Sequence, residues 1–259
     1  MKTKSFLIIM AVICASFLVY ACVREGKEQL DVTFSQNLVT ETRAEDPCEN
    51  AMTNCVGPYG NPEIKYVTLP DYPNCTFEVK YKMKKCYING EWKYDIQLLE
   101  WAQWPPCQIF QDSLNNALNL GGDYPALYLQ RMEKKLLVNL LNIILADPDI
   151  YNTIVPCGNG YTTSFGFTVA SCIKFCVVKL GPEIGPNGEF TNLKVVKVPC
   201  GEACCRTTFD VCINSRGELV IFQSWSSIGT GNCNGQSPLL PCPVNTLHST
   251  TCIPNCQAL

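Results

Sequence analysis

The chain has 259 residues, 47% of them hydrophobic and 17% charged, which is the balance of a folded protein with a sizeable core and excludes a disordered one. A net charge of −3, with 20 Lys plus Arg scattered among 23 Asp plus Glu, forms no basic stripe and argues against nucleic acid as a partner. The outlying count is cysteine, at 18.

Lys2 and Lys4 precede an apolar run from Phe6 to Val19, the layout of a secretory signal. The run closes on Val19-Tyr20-Ala21, with side chains at the −3 and −1 positions that fit a signal-peptidase pocket, and Cys22 follows. This Val19-Tyr20-Ala21-Cys22 junction resembles the lipobox of bacterial lipoproteins. The resemblance covers only the leader; it implies that residues 1–21 are removed and that Cys22 takes a diacylglyceryl thioether and becomes the new amino terminus. The membrane, reached through that lipid, is then the first expected partner. The alternatives are an ordinary secreted protein cut after Ala21 and a signal-anchor helix over the uncharged stretch Ser5 to Val23. All three readings put the remainder outside the cytoplasm. Residues 22–47 have Phe34 as their lone aromatic and no sustained period, and read as a flexible spacer. Folded structure is expected over 48–259, as one domain or as two sub-modules, 48–150 and 151–259.

From Cys75 to Trp101 two alternating runs flank Asn89-Gly90, the strongest short hairpin signal, because a type I′ turn needs two residues with positive φ. The predicted register pairs Tyr87 with Trp92, Met83 with Ile96 and Tyr81 with Leu98 on an apolar face, continuing to Val79 and Phe77. The other face, with Lys84 opposite Asp95 and Lys82 opposite Gln97, is expected to be wet, and a one-residue slip would carry lysines into the core. Helical pattern follows over Gln108 to Leu120, ended by Gly121-Gly122. Asp123 is placed to cap a longer helix through Ala146, with Pro125 tolerated in its first turn and Asp147-Pro148 as the stop. Tyr124, Leu127, Leu136, Leu140, Ile143 and Ile144 give that helix an apolar face, expected to pack on a sheet. Further strand structure is predicted from Phe165 to Leu180 and from Phe190 to Val198, joined by a turn-rich segment over 181–188. A second hairpin turns at Ser215-Arg216-Gly217, pairing Val211 with Ile221 and Ile213 with Leu219, with Phe209 and Trp225 on the same face. The run from Cys86 to Glu91 echoes that from Cys212 to Glu218, a hint of internal repetition.

Setting aside Cys14 in the leader and Cys22 leaves sixteen cysteines: Cys48, Cys55, Cys75, Cys86, Cys107, Cys157, Cys172, Cys176, Cys200, Cys204, Cys205, Cys212, Cys233, Cys242, Cys252 and Cys256. An even set behind an export signal reads as a disulfide framework of eight bridges. Cys172 and Cys176, on one strand, would lie about 13 Å apart, beyond the ~7 Å reach of a bridge, so each needs a distant partner. Adjacent Cys204 and Cys205 face opposite ways in an extended chain and should bond to different neighbours. The tail, with Cys233, Cys242, Cys252 and Cys256 among Pro and Asn, is expected to be fixed by bridges. A metal site at Cys200, Cys204, Cys205 and Cys212 is disfavoured by spacing, since no C-x2-C knuckle occurs and His248 is the only histidine. Neither metal nor cofactor is expected.

Catalytic signatures are lacking. His248 beside Ser249 makes no catalytic pair, and nucleophile-elbow, metalloprotease and phosphate-loop motifs do not occur. Carboxylates remain the catalytic option, through a paired-carboxylate hydrolysis of polysaccharide. Glu78, Glu100, Asp95 and Asp210 lie on predicted strands, and unbroken alternation places Glu100 opposite Val79 on the apolar face. Tyr87, Trp92, Tyr94, Trp101 and Trp104 cluster around the first hairpin and suit a protein or carbohydrate ligand, or a core. Asn74-Cys75-Thr76 fits the N-glycosylation pattern, though with a cysteine at its centre. The reading is an α+β, disulfide-rich fold of antiparallel hairpins with a helical segment between two β parts. Its expected function is a non-enzymatic binding or structural role in the cell envelope, at the outer membrane or cell surface.

Overall fold

The computed structural model describes residues 48, 55, 57–103, 105, 107–158, 160–180, 192–228, 233 and 236–256. The leader, Cys22, the spacer, Trp104 and the 181–188 connection lie outside the described residues.

Strands β1 (Glu63–Leu69), β2 (Tyr72–Ile88) and β3 (Glu91–Gln103) form an antiparallel meander. Asn89 and Gly90 both have positive φ, 54° and 87°, so the turn is the tight one the sequence calls for. The β2/β3 ladder follows the predicted register from Ile88 with Glu91 to Tyr81 with Leu98. There it bulges: Leu99 is the extra residue on β3, and beyond it Lys80 pairs with Glu100 and Val79 with Trp101. Glu100 therefore does not oppose Val79. The inserted residue shifts it onto the polar face and turns Trp101 inwards.

The helices are α1 (Gln108–Leu120), α2 (Tyr124–Leu145) and the short α3 (Pro148–Tyr151). Gly121 and Gly122 end α1 with φ of 68° and 56°, values that a residue with a Cβ adopts at a cost. Asp123 does not cap α2 through its side chain. Its backbone is already helical (φ −86°, ψ −4°), whereas a capping side chain needs extended backbone, and its carboxylate instead accepts from Thr251 Oγ1 at 2.9 Å. Asp147 does cap, accepting from the Asp149 N–H at 2.9 Å. The apolar stripe of α2 is also rotated from the predicted one. Leu136, Leu140 and Ile144 are buried with Ala126, Leu129 and Met132, while Tyr124 and Leu127 are exposed. At 3.6 residues per turn Leu127 lies about 180° around the helix from Leu136.

The 165–180 run is two strands, β4 (Thr163–Ala170) and β5 (Cys172–Lys179), broken at Ser171. Strands β6 (Leu193–Pro199), β7 (Cys204–Ile213), β8 (Leu219–Ile228), β9 (Thr246–Ser249) and β10 (Ile253–Pro254) complete a ten-stranded, largely antiparallel sheet. The β7/β8 hairpin has the predicted register, Val211 with Ile221 and Ile213 with Leu219. Strand β3 is the hub. One edge pairs with β2; the first half of the other pairs in parallel with β4, and its far end pairs with β6, which pairs with β5. Parallel neighbours need a long crossover, and α1 to α3 supply it between β3 and β4.

One sheet face carries the helices. Phe77, Trp101 and Phe110 meet edge to face, with centroids 5.4 to 6.0 Å apart, and Tyr94 stacks on Phe165 at 4.8 Å. Such geometry adds about 0.5–1.5 kcal/mol per pair to the burial of the rings. The core continues through Leu129, Leu136 and Leu140 of α2 to Phe175 and Val177 of β5.

Every cysteine from Cys48 onward is bridged. The pairs are Cys48–Cys204, Cys55–Cys86, Cys75–Cys107, Cys157–Cys212, Cys172–Cys233, Cys176–Cys242, Cys200–Cys252 and Cys205–Cys256. Cα separations run from 5.0 to 6.2 Å, within the span of bridged residues. Cys204 and Cys205 take different partners, as their alternation on β7 requires. All four tail cysteines bond outside the tail, and Gln130 of α2 adds a hydrogen bond to the Pro254 carbonyl at 2.7 Å.

Candidate functional site: the polar face of the sheet

The sheet face away from the helices holds most of the carboxylates singled out above. By strand alternation β2 contributes Glu78, Lys80, Lys82 and Lys84, while β3 contributes Asp95, Gln97 and, past the bulge, Glu100. Strand β4 adds Ser164, Gly166 and Thr168; β7 adds Arg206 and Asp210; β6 adds Lys194.

This face is not wet around Lys84 and Asp95, contrary to the simple alternation. Both are buried, and Gln97 with them. Asp95 accepts from the Tyr59 hydroxyl at 2.6 Å and from the Arg206 guanidinium, and Lys84 Nζ lies 3.6 Å away. Arg206 also donates to Thr168 Oγ1 at 2.8 Å. Tyr59 is held over the sheet by the Gly60 N–H, which donates to the Met83 carbonyl at 3.0 Å. Its ring faces Lys84 at 4.6 Å and Lys82 at 4.7 Å, the geometry of a cation–π contact. Room for the guanidinium comes from Gly166, where a Cβ would collide with Arg206. An anion between two cations, with Asp95 and Lys84 withdrawn from water and Arg206 half-buried, ties β2, β3, β4, β7 and the Tyr59 segment to one point. With both oxygens engaged by protein donors, Asp95 is a fixed counter-ion.

Two of the other three carboxylates are engaged as well. Glu100 receives Lys194 at 2.7 Å and Lys80 at 3.4 Å. Asp210 accepts from Ser164 Oγ at 2.5 Å. Glu78 is buried beside this group, and its carboxyl is pushed above the usual range, first by burial and then by the charge of Glu100, against the opposing pull of Lys80 and Lys194. A raised carboxyl favours the folded state most when it is protonated. Its contribution is full below the unfolded pKa and is lost as pH rises through the folded one. Glu78→Gln is therefore expected to raise the denaturation midpoint at neutral pH. That gain should shrink on acidification towards pH 4, which paired denaturant titrations of the two proteins would check.

The aromatic candidates separate into core and tip. Tyr94 and Trp101 are fully buried under the helices. Trp92 packs partly on the core, with Tyr87 at 4.9 Å and Lys85 Nζ 4.1 Å from its ring. Tyr87 is 61% exposed, and Trp104 is outside the described residues. His248 is exposed on β9, opposite Val177. Asn74 is exposed, beside a Cys75 bridged to Cys107. Cys200, Cys204, Cys205 and Cys212 each sit in a separate bridge. Among the described residues no group of three or more His, Cys, Asp or Glu is arranged to hold a metal ion, and no helix is long and apolar enough to cross a membrane. A cavity of about 290 Å³ beside Pro70, Asp71 and Val138 contains none of these candidates.

Sequence reasoning missed Tyr59 and Arg206. Both reach Asp95 from far along the chain, and neither stands in a motif. The bulge did leave a mark: the apolar positions of β3 are even-numbered at Tyr94, Ile96 and Leu98, then odd at Trp101.

In comparisons with protein-family models, curated proteins and solved structures, nothing matches the chain.

Proposed function

We propose that the chain is an exported cell-envelope protein, tethered to the membrane by a lipid on Cys22, with a non-enzymatic binding or structural role. The observation that carries the reading is the complete pairing of the sixteen cysteines after Cys22. Eight bridges form and persist in an oxidising space, and a seventeenth thiol at Cys22 is accounted for if it carries lipid. The non-enzymatic part draws support from the carboxylates. A paired-carboxylate hydrolase needs one acid and one base free to trade protons with substrate; Asp95 and Glu100 are tied to Arg206 and Lys194 and Asp210 accepts from Ser164, which leaves Glu78, with its raised carboxyl, without a free base beside it. The spacer over residues 22–47 would hold the domain clear of the bilayer surface.

The anchor is tested on protein extracted from its native membrane. Mass spectrometry of the amino-terminal peptide is expected to find Cys22 as the first residue, carrying diacylglycerol. An unlipidated Cys22 terminus, or a retained leader, would remove the anchor from the account.

A further inference from the structure

We infer that β8 is a self-association strand, pairing antiparallel with β8 of a second copy of this chain across a two-fold axis. A sheet edge offers unpaired N–H and C=O groups to any passing strand, and proteins protect such edges with charge, proline, bulges or short length. Two of the edges here are protected in that way. β1 carries Glu63 and Lys65 and shifts register between Thr68 and Leu69. β9 and β10 are four and two residues long, and β10 contains Pro254. β8 has none of these devices. It runs for ten residues, Leu219–Ile228, without charge or proline and without a register shift against β7. Among the described residues its other edge has no strand beside it. Large apolar side chains stand exposed along it: Ile221 at 41%, Phe222 at 57% and Trp225 at 58%.

Charge selects the occupant. On its open edge β8 offers ten uncharged residues and so no counter-ion to a charged strand, whereas a second β8 needs none and sets no like charges against each other. Strands β1, β2, β3, β5, β6 and β7 all carry charge, and uncharged β4 is already paired on both sides. β8 meets the requirement and is exposed to do so. A two-fold axis perpendicular to the sheet keeps each face on its own side, so residues of equal parity must oppose one another. With the axis at Gln223, Ile221 of each copy meets Trp225 of the other, a β-branched and aromatic pair that favours strand association. The ladder then runs over nine residues, Leu219–Ser227, and leaves the charged turn residues Arg216 and Glu218 outside it.

The two-fold gives the test its form. The full mature chain is studied by sedimentation in density-matched detergent from micromolar to submillimolar concentration, with thermal unfolding as the fold control. Wild type is expected to dimerise. Gln223→Lys and Gln223→Glu, each setting a like charge against itself at the axis, should be monomeric, with unfolding unchanged from that of wild type diluted to monomer, because Gln223 is exposed. Mixing the two variants should restore a dimer. A monomeric wild type, a dimer indifferent to both variants, or a mixture that stays monomeric would overturn the inference; the last would mean that β8 docks on a different surface.

Discussion

Asp95→Ala is expected to lower the unfolding free energy by about 3–5 kcal/mol, the usual cost of removing one partner from a buried ion cluster. The reason is positional. Asp95 is the anion addressed by both Arg206 and Lys84, and neither its carboxylate nor Lys84 has water to fall back on. Domains of this kind hold only about 5–15 kcal/mol in all, so the loss would be visible as a large drop in the urea midpoint under oxidising conditions. Two comparisons locate the effect. Glu91→Ala, which breaks the more exposed pair with Lys93, should cost less than about 1 kcal/mol. Gly166→Ala keeps every charge but drives a Cβ into Arg206, and should cost about 1–3 kcal/mol by overpacking. If Asp95→Ala behaved like Glu91→Ala, the cluster would not hold the strands together.

Removing one tail bridge should produce the other large effect. The Cys200–Cys252 and Cys176–Cys242 bridges close separations of 52 and 66 residues, for which chain entropy assigns about 4 kcal/mol each. The figures do not add, because the loops overlap. For the Cys200→Ser, Cys252→Ser double variant the expectation is a loss of about 2–4 kcal/mol and a Tm lower by about 5–15 °C. The tail should feel it first, since β9 and β10 together supply only six residues of ladder. Hydrogen exchange should show protection falling at Thr246–Ser249 and Ile253 before the β2/β3 core. Uniform loss across the domain, or none, would mean that the other three tail bridges and the Gln130 and Thr251 contacts hold the tail without Cys200–Cys252.

How much of this was legible beforehand depends on the range of the interaction concerned. Local chemistry could be read directly: the Asn89-Gly90 turn, the Gly121-Gly122 stop and the β7/β8 register depend on φ and alternation within a few residues. The Leu99 bulge hid Glu100's true partner because alternation assumes one residue per step. The α2 stripe was misplaced at Tyr124 and Leu127 because both are apolar and only tertiary contact decides which apolar residues are covered. Long-range features were not legible. The insertion of β6 between β3 and β5, and the meeting of Tyr59, Asp95 and Arg206, join distant parts of the chain, with Asp95 and its partner Arg206 111 positions apart, and leave no sequence mark. The cysteines fall between these cases. Their even number predicted bridging, and adjacency predicted separate partners for Cys204 and Cys205, but connectivity needed the fold.

Peptide mapping of the unreduced protein, with thiol titration after denaturation, shows whether the domain is a closed disulfide framework suited to an oxidising compartment. The expected result is no free thiol from Cys48 onward and eight linked peptide pairs, among them Cys172–Cys233, Cys176–Cys242, Cys200–Cys252 and Cys205–Cys256 joining the tail to the sheet. Titratable thiols among those sixteen, or tail cysteines linked to one another, would contradict it.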